Sequence, residues 1–162
     1  MKELLIQKLH HYIIANNPEV LIELQGESRV TDYLETKVTS IKEMLEQLQA
    51  DRNPEYIIEE VCMKELTKDL KPSKSNYIKE ILEEDFNQQY GQFRDAGILT
   101  TEIINLIKFC QSVFEDLRFS EENEDNRFIR YAITGMISEY LQQNSENENV
   151  SNGLQQSTEA AG

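Results

Sequence analysis

The chain is poor in the glycines and prolines that mark turns, and poor in cysteine and histidine, which support nucleophilic catalysis and transition-metal binding. Its 162 residues include six glycines, three prolines, two cysteines, two histidines and no tryptophan. So few glycines and prolines disfavour a fold of many short strands, because such folds need frequent turns. Hydrophobic residues make up 39% and charged residues 28% of the chain, a balance typical of a globular protein.

Positive charge is also scarce. Thirty acidic side chains against sixteen basic ones give a formal net charge of −14, so the averaged field repels phosphate backbones and anionic lipid. Direct nucleic-acid binding is therefore disfavoured. A run of lysines, interrupted by Glu65 and Asp69, is better explained by the end of a helix, where cations complement the helix dipole. The run consists of Lys64, Lys68, Lys71, Lys74 and Lys79.

The two cysteines do not form a reactive motif. Cys62 and Cys110 lie far apart in apolar surroundings, as buried thiols of a reducing compartment do. Burial would raise the pKa of each thiol and suppress the reactive thiolate. No apolar run approaches membrane-spanning length, and polar residues interrupt the first helix too early for a signal peptide. The sequence predicts a cytoplasmic protein without a membrane segment.

Apolar residues recur at steps of three and four along most of the chain, which predicts an all-α fold. We expect a compact single-domain bundle of about five to seven helices over residues 1–143, followed by a disordered polar tail over 144–162. The predicted helices cover about residues 2–15, 18–24, 30–48, 54–69, 75–89, 100–117 and 126–143. Gly91 and Gly97 are predicted to frame a loop.

The segment 30–48 carries a narrow apolar stripe and is predicted to be the longest helix, with Ser28 as its N-cap. A stripe of this kind either contacts another copy in a coiled coil or faces the protein's own core. The segment is too short for a typical coiled coil, so a core position is favoured. The stripe consists of Val30, Leu34, Val38, Ile41, Leu45 and Leu48.

The only two histidines are neighbours, His10 and His11. Adjacent residues on a helix point about 100° apart, so the pair cannot bind one metal ion from a regular helix. Gln7 and Lys8 stand three residues before them, where a helical di-iron site would need glutamate. We expect a partly exposed pair without a catalytic or metal role, and no cofactor.

Two acidic features are candidates for a catalytic or cation-binding site. Asp85 interrupts the apolar side of its predicted helix, so it is the first carboxylate to consider for an enzyme using buried acids. It could equally lie at the edge of the core with a cationic or backbone partner. The run EENED, residues 121–125, lacks the order of a calcium loop, and we expect a solvated connection into the last helix.

Gly135 lies inside the last predicted helix. A helical glycine costs about 0.5–1 kcal/mol relative to alanine, so its presence favours a close approach by another backbone over a tolerated defect.

Two segments, LTKDLKPSKSNYIKEILEEDF at 66–86 and ITGMISEYL at 133–141, resemble the signature regions of a small helical family, the domain of unknown function 1896. Its members occur in Bacteroidales-type anaerobes and often on mobile elements. The matching residues are Leu66, Leu70, Ser73, Phe86, Thr134, Gly135, Ile137, Tyr140 and Leu141. Asp69, Pro72 and Asp85 depart from the pattern. The resemblance implies a compact helical fold of unassigned function, with no catalytic residues.

Three functions stay open. The first is a non-enzymatic interaction module that binds a protein partner, or a second copy as a homodimer, through an exposed helical face. The second is an acidic regulator that occupies the basic groove of a nucleic-acid-handling protein. The third is an enzyme using buried carboxylates, which is the least favoured because no catalytic motif occurs.

Overall fold

The structure is a computed structural model. It describes the backbone of residues 1–25 and 29–160 and the side chains of residues 1–24 and 29–147. The described residues form ten α-helices and one 3₁₀ helix, without strands. The α-helices are α1 Lys2–Asn16, α2 Pro18–Gln25, α3 Val30–Ser40, α4 Lys42–Ala50, α5 Glu55–Thr67, α6 Lys74–Asp85, α7 Asn87–Asp95, α8 Leu99–Phe109, α9 Gln111–Asp116 and α10 Arg127–Ala160, and the 3₁₀ helix is Lys68–Leu70.

The all-α prediction is confirmed, although the helices outnumber the five to seven expected. Two predicted helices are each divided by a single buried residue, Ile41 between α3 and α4 and Cys110 between α8 and α9. The Ile41 N–H donates a hydrogen bond to the carbonyl of Val38, three residues earlier, at a donor–acceptor distance of 3.4 Å. Such a tight turn ends a helix without Gly or Pro, so the sequence does not signal it.

Two other expectations were wrong. The segment around Gly91 is helix α7 rather than a loop, and of these two glycines it is Gly97, with φ +74°, that occupies the left-handed region. The segment predicted to be the longest helix forms two helices, α3 and α4, and α10 is longer than both together. Ser28 and most of the predicted break at residues 25–27 lie outside the described residues.

The chain divides into two compact units, Met1–Tyr77 and Ile78–Gly162, and the boundary falls within α6. The prediction of one domain over residues 1–143 stays a prediction, because units that share a helix can still unfold together. The disordered tail predicted for 144–162 also stays a prediction, although the backbone of α10 is helical as far as Ala160.

The first unit is organised around α1, which contacts α2, α3 and α5. Leu5, Leu9 and Ile13 of α1 are fully buried, as their spacing predicts. The stripe on α3 and α4 faces this core, which confirms the core interpretation over the coiled coil. The buried core residues are Leu5, Leu9, Ile13, Leu21, Leu34, Val38, Ile41, Leu45, Ile58, Cys62, Leu66 and Leu70.

In the second unit, α10 contacts α8 and α9, and α8 also contacts α7. Ile129, Ile133 and Ile137 recur every four residues along α10 and are buried, so this side of the helix faces the interior. Among the residues that the structure describes, no helix combines the length and hydropathy required to cross a membrane.

Candidate functional site

The two histidines lie on α1 with the geometry expected of neighbours on a helix. The rings of His10 and His11 are nearly parallel, at an interplanar angle of 12°, and their centroids are 6.5 Å apart. His10 is half-buried and His11 is exposed. The described side chains contain no group of three His, Cys, Asp or Glu residues arranged to hold a metal ion.

Both cysteines are fully buried free thiols. Burial raises the pKa of the Cys110 thiol to about 11, and it also raises the pKa of Cys62. Because the thiolate is the reactive form, both residues are poor nucleophiles near neutral pH. This confirms the expectation of inert, buried thiols.

Asp85 has a cationic partner, which was one of its two predicted settings. Its carboxylate is 45% exposed and lies 3.5 Å from a guanidinium nitrogen of Arg130. The same nitrogen lies 2.8 Å from the carboxylate of Glu84, so Arg130 of α10 holds the end of α6. Nothing in this exposed ion-pair cluster resembles a buried catalytic acid. Asp85 therefore no longer motivates an enzyme.

A polar junction, formed by Asn16, Asn17, Glu19, Ser73 and Asn76, joins the end of α1 to the start of α6. Asn17 is 4% exposed, and its Nδ2 donates to the Leu70 carbonyl at 3.0 Å. The Ser73 hydroxyl donates to the Asn16 carbonyl and accepts from the Asn76 N–H, which makes Ser73 the N-cap of α6. Ser73 thus has a structural role at the start of α6.

Glu19 is the titratable residue of the polar junction, and its pKa is shifted. Burial raises the pKa of its carboxyl above the ordinary value of 4.5, and hydrogen bonds with its own backbone and Asn17, with the charge of Lys74, only partly oppose this. Its buried Oε2 has no hydrogen-bond partner among the described residues. The charged form of Glu19 is therefore poorly stabilised in the folded protein.

We expect Glu19→Gln to raise the free energy of unfolding by about 1 kcal/mol at pH 7, because a neutral amide avoids the buried charge. A raised carboxyl pKa in the folded state costs stability as pH rises through the unfolded value near 4.5, and that cost is complete above the folded value. The difference between variant and parent should thus disappear below pH ~4. Urea unfolding at both pH values measures it, with exposed Glu60→Gln as control. An equal effect of both variants at pH 7 would contradict the assignment.

The outward side of α10 exposes two large aromatic side chains. Phe128 is 81% exposed and Tyr131 is 68% exposed. The spacing of three residues places both side chains on one face of the helix, away from the buried isoleucines. Gly135 follows on the same face and is also exposed. We call these three residues the α10 outward face.

Gly135 does not have the role predicted for it. Among the described residues, no atom outside the neighbouring turns of α10 lies within 4 Å of a Cβ placed at this position. The expectation that another part of the chain packs against Gly135 is therefore wrong. Replacing Gly135 by alanine should stabilise the folded protein by about 0.5–1 kcal/mol, as measured by urea unfolding. A loss of stability would show that the position is more crowded than the structure indicates.

An acidic turn precedes the α10 outward face. Glu121, Glu122 and Asp125 are exposed within it, while Asn123 and Asn126 hold its backbone. The Asn123 side chain accepts from the Ser120 N–H at 2.7 Å and donates to the Arg118 carbonyl at 2.9 Å. Asn126 accepts from the Phe128 N–H at 2.8 Å and so caps α10. This confirms the expected solvated connection and shows how its conformation is maintained.

Tyr140 lies on the inward side of α10. Its hydroxyl donates to the Glu102 carboxylate at 2.8 Å, and its ring meets Phe109 edge-on at a centroid distance of 5.4 Å. Burial and the bond to Glu102 raise the pKa of Tyr140. The residue joins α10 to α8 and is structural.

Both units have surface cavities. In the first unit, a cavity of about 420 Å³ lies beside the start of α1 and is lined by polar and apolar side chains including Lys2, Lys42 and Leu45. In the second unit, a cavity of about 330 Å³ lies between α7 and α10 and is lined by Phe86, Leu141 and polar residues. Neither brings together groups with perturbed acidity or an oriented nucleophile, so neither supports a reaction.

Sequence reasoning missed Phe128 and Tyr131. The spacing of Ile129, Ile133 and Ile137 predicts the buried side of the last helix, and the two aromatic residues lie out of phase with it. That mismatch was the available signal, because a large apolar residue off the buried stripe of a helix must be exposed or packed by something else.

No protein-family model matches the chain, and no curated protein and no solved structure gives a match. The resemblance to the domain of unknown function 1896 family therefore stays a prediction.

Proposed function

We propose that the protein is a non-enzymatic protein–protein interaction module that binds its partner through the α10 outward face. The observation that carries this proposal is the exposure of Phe128 and Tyr131 side by side, at 81% and 68%. Aromatic side chains are enriched where proteins bind one another, because they bury a large area at little cost in conformational freedom. Isolated exposed apolar residues are common, but two aromatic rings on one helical face form a patch.

The apolar stripe on α3 and α4 offers no alternative interface, because its central residues are buried in the first unit. The enzyme alternative is not supported either, since Asp85 is an exposed member of an ion-pair cluster. A homodimer remains one form of the proposed interaction, but two chains of net charge −14 repel each other at low salt. We therefore favour a different protein as partner.

We expect Phe128→Ala with Tyr131→Ala to abolish partner binding. Centrally placed aromatic residues contribute about 2 kcal/mol or more each to an interface, so the double variant should bind close to a thousandfold more weakly or worse. Both positions are exposed and alanine favours helix, so the fold should persist. The measurement is affinity capture of the tagged full chain from a lysate of its source organism, followed by quantitative mass spectrometry.

Tyr56→Ala is the matched control, because Tyr56 on α5 is 69% exposed and belongs to the first unit. The parent and this control should capture the same partner, and the double variant should not. Circular dichroism establishes that all three are folded. The proposal is wrong if the double variant captures the same proteins as the parent, or if the parent captures none.

A further inference from the structure

We infer that the partner presents a basic amphipathic α-helix, which crosses α10 at Gly135. The inference rests on the proposed function and specifies what the α10 outward face binds. It combines the shape of the face, the charge around it, and the space above the glycine.

The shape favours a helix. Phe128, Tyr131 and Gly135 follow one another at steps of three and four residues, so they share one face of α10. The Tyr131 ring lies about one helical turn before Gly135, which has no side chain, and the Phe128 ring lies about two turns before it. The separation of two packed helices depends on the side chains at their point of contact, and glycine permits the closest approach. An added strand would need an unpaired sheet edge, whereas the backbone of α10 is already hydrogen-bonded within the helix. The described atoms leave the space above Gly135 open.

The charge favours a basic partner. The acidic turn places the exposed carboxylates of Glu121, Glu122 and Asp125 within the seven residues that precede Phe128. Beyond Gly135 the same side of α10 carries Glu139, and it continues with uncharged Ser138 and Gln142. Two cations of α10 lie near this surface: Arg130 is engaged by Glu84 and Asp85, and exposed Arg127 is outnumbered by the three carboxylates of the acidic turn. A partner helix with lysine or arginine beside an apolar stripe complements this surface at both ends.

The surface charge also distinguishes binding of a different protein from association with a second copy of the chain. A second α10 outward face would bring like charges together, because the acidic turn and Glu139 would oppose acidic residues of the other chain. Like-charge juxtaposition disfavours association most strongly at low salt. Binding of a basic helix should show the opposite dependence, being tightest at low salt.

The test is a titration of the full chain into a labelled synthetic peptide that forms an amphipathic helix, with lysine on its polar face and leucine and alanine on the other. Fluorescence anisotropy reports binding at low and high salt. A second peptide with glutamate in place of every lysine tests the sign of the charge. Gly135→Ala tests the crossing point, and Gly91→Ala is its control, since Gly91 lies within α7 and its Cβ would meet only Arg94, at 4.0 Å.

We expect the lysine peptide to bind, the glutamate peptide not to bind, and salt to weaken the complex. Gly135→Ala should weaken binding about tenfold, because a methyl group would overpack the crossing point, while Gly91→Ala should leave binding unchanged. The inference is overturned if the lysine peptide fails to bind, if both peptides bind equally, or if the two alanine variants behave alike. Capture of only the chain itself from the lysate would also overturn it.

The proposed function fails by a different result. If partner capture depends on Phe128 and Tyr131 but the lysine peptide does not bind, the interaction module stands and only its helical, basic partner is wrong. If the Phe128→Ala, Tyr131→Ala variant captures what the parent captures, the module itself is wrong.

Discussion

Ile13→Ala should lower the free energy of unfolding by about 2–5 kcal/mol, whereas Ile14→Ala, one residue further along α1, should change it by less than about 0.5 kcal/mol. Ile13 is fully buried in the core of the first unit, and Ile14 is 50% exposed. Truncating the buried side chain removes its apolar contacts and leaves a cavity in the core of the first unit. Truncating the exposed one loses little burial, and alanine is the better helix former.

Urea unfolding followed by circular dichroism measures both variants. The pair is closely matched, because the residue type, the substitution and the helix are the same and only the direction of the side chain differs. Similar losses at both positions would mean that Ile14 is also covered, either by residues outside the described ranges or by another molecule.

Asn17→Ala should lower the free energy of unfolding by about 1–3 kcal/mol. The Asn17 Nδ2 donates to the Leu70 carbonyl across 53 residues of sequence, and the side chain is 4% exposed. Alanine would leave that carbonyl without this donor in a site closed to water. Asn17→Asp should be worse at pH 7, because a buried carboxylate would face a carbonyl oxygen beside Glu19.

Asn87→Ala is a suitable control for the polar junction. The Asn87 side chain also donates to a main-chain carbonyl, that of Glu83, but at 3.3 Å and in an exposed position where water can replace it. We expect Asn87→Ala to change the free energy of unfolding by less than about 0.5 kcal/mol.

The Asn17→Asp variant should recover stability relative to Asn17→Ala as pH falls and its carboxyl is protonated. A pH-independent difference would argue against a buried charge at this position.

The helices of the first unit could be predicted from the sequence because the patterns that indicate them are local. The spacing of Leu5, Leu9 and Ile13 predicts both α1 and its buried side, and Pro18 predicts where α1 stops. The breaks at Ile41 and Cys110 were not accessible, because each is a one-residue change in hydrogen bonding within an unbroken apolar stripe. Gly91 misled for the opposite reason, since a residue that is common in loops lies inside a helix.

The candidate site was less accessible than the fold. The sequence placed Gly135 on a helix, and the inference that something passes close to it was reasonable, but only three-dimensional positions show that the described part of the chain leaves that space open. Likewise, the polar junction depends on Asn16 and Ser73 meeting across 57 residues, which no local pattern encodes. Exposure and long-range pairing are properties of the packed molecule.

Each of the two units contains one of the two cysteines, Cys62 in the first and Cys110 in the second, and both thiols are fully buried. The natural chain therefore carries its own pair of labels for measuring local opening. A thiol reagent can modify each residue only when the surrounding unit opens, so the two labelling rates report two opening free energies. Equal values that fall together in denaturant would identify a single cooperative domain, and unequal values would identify two.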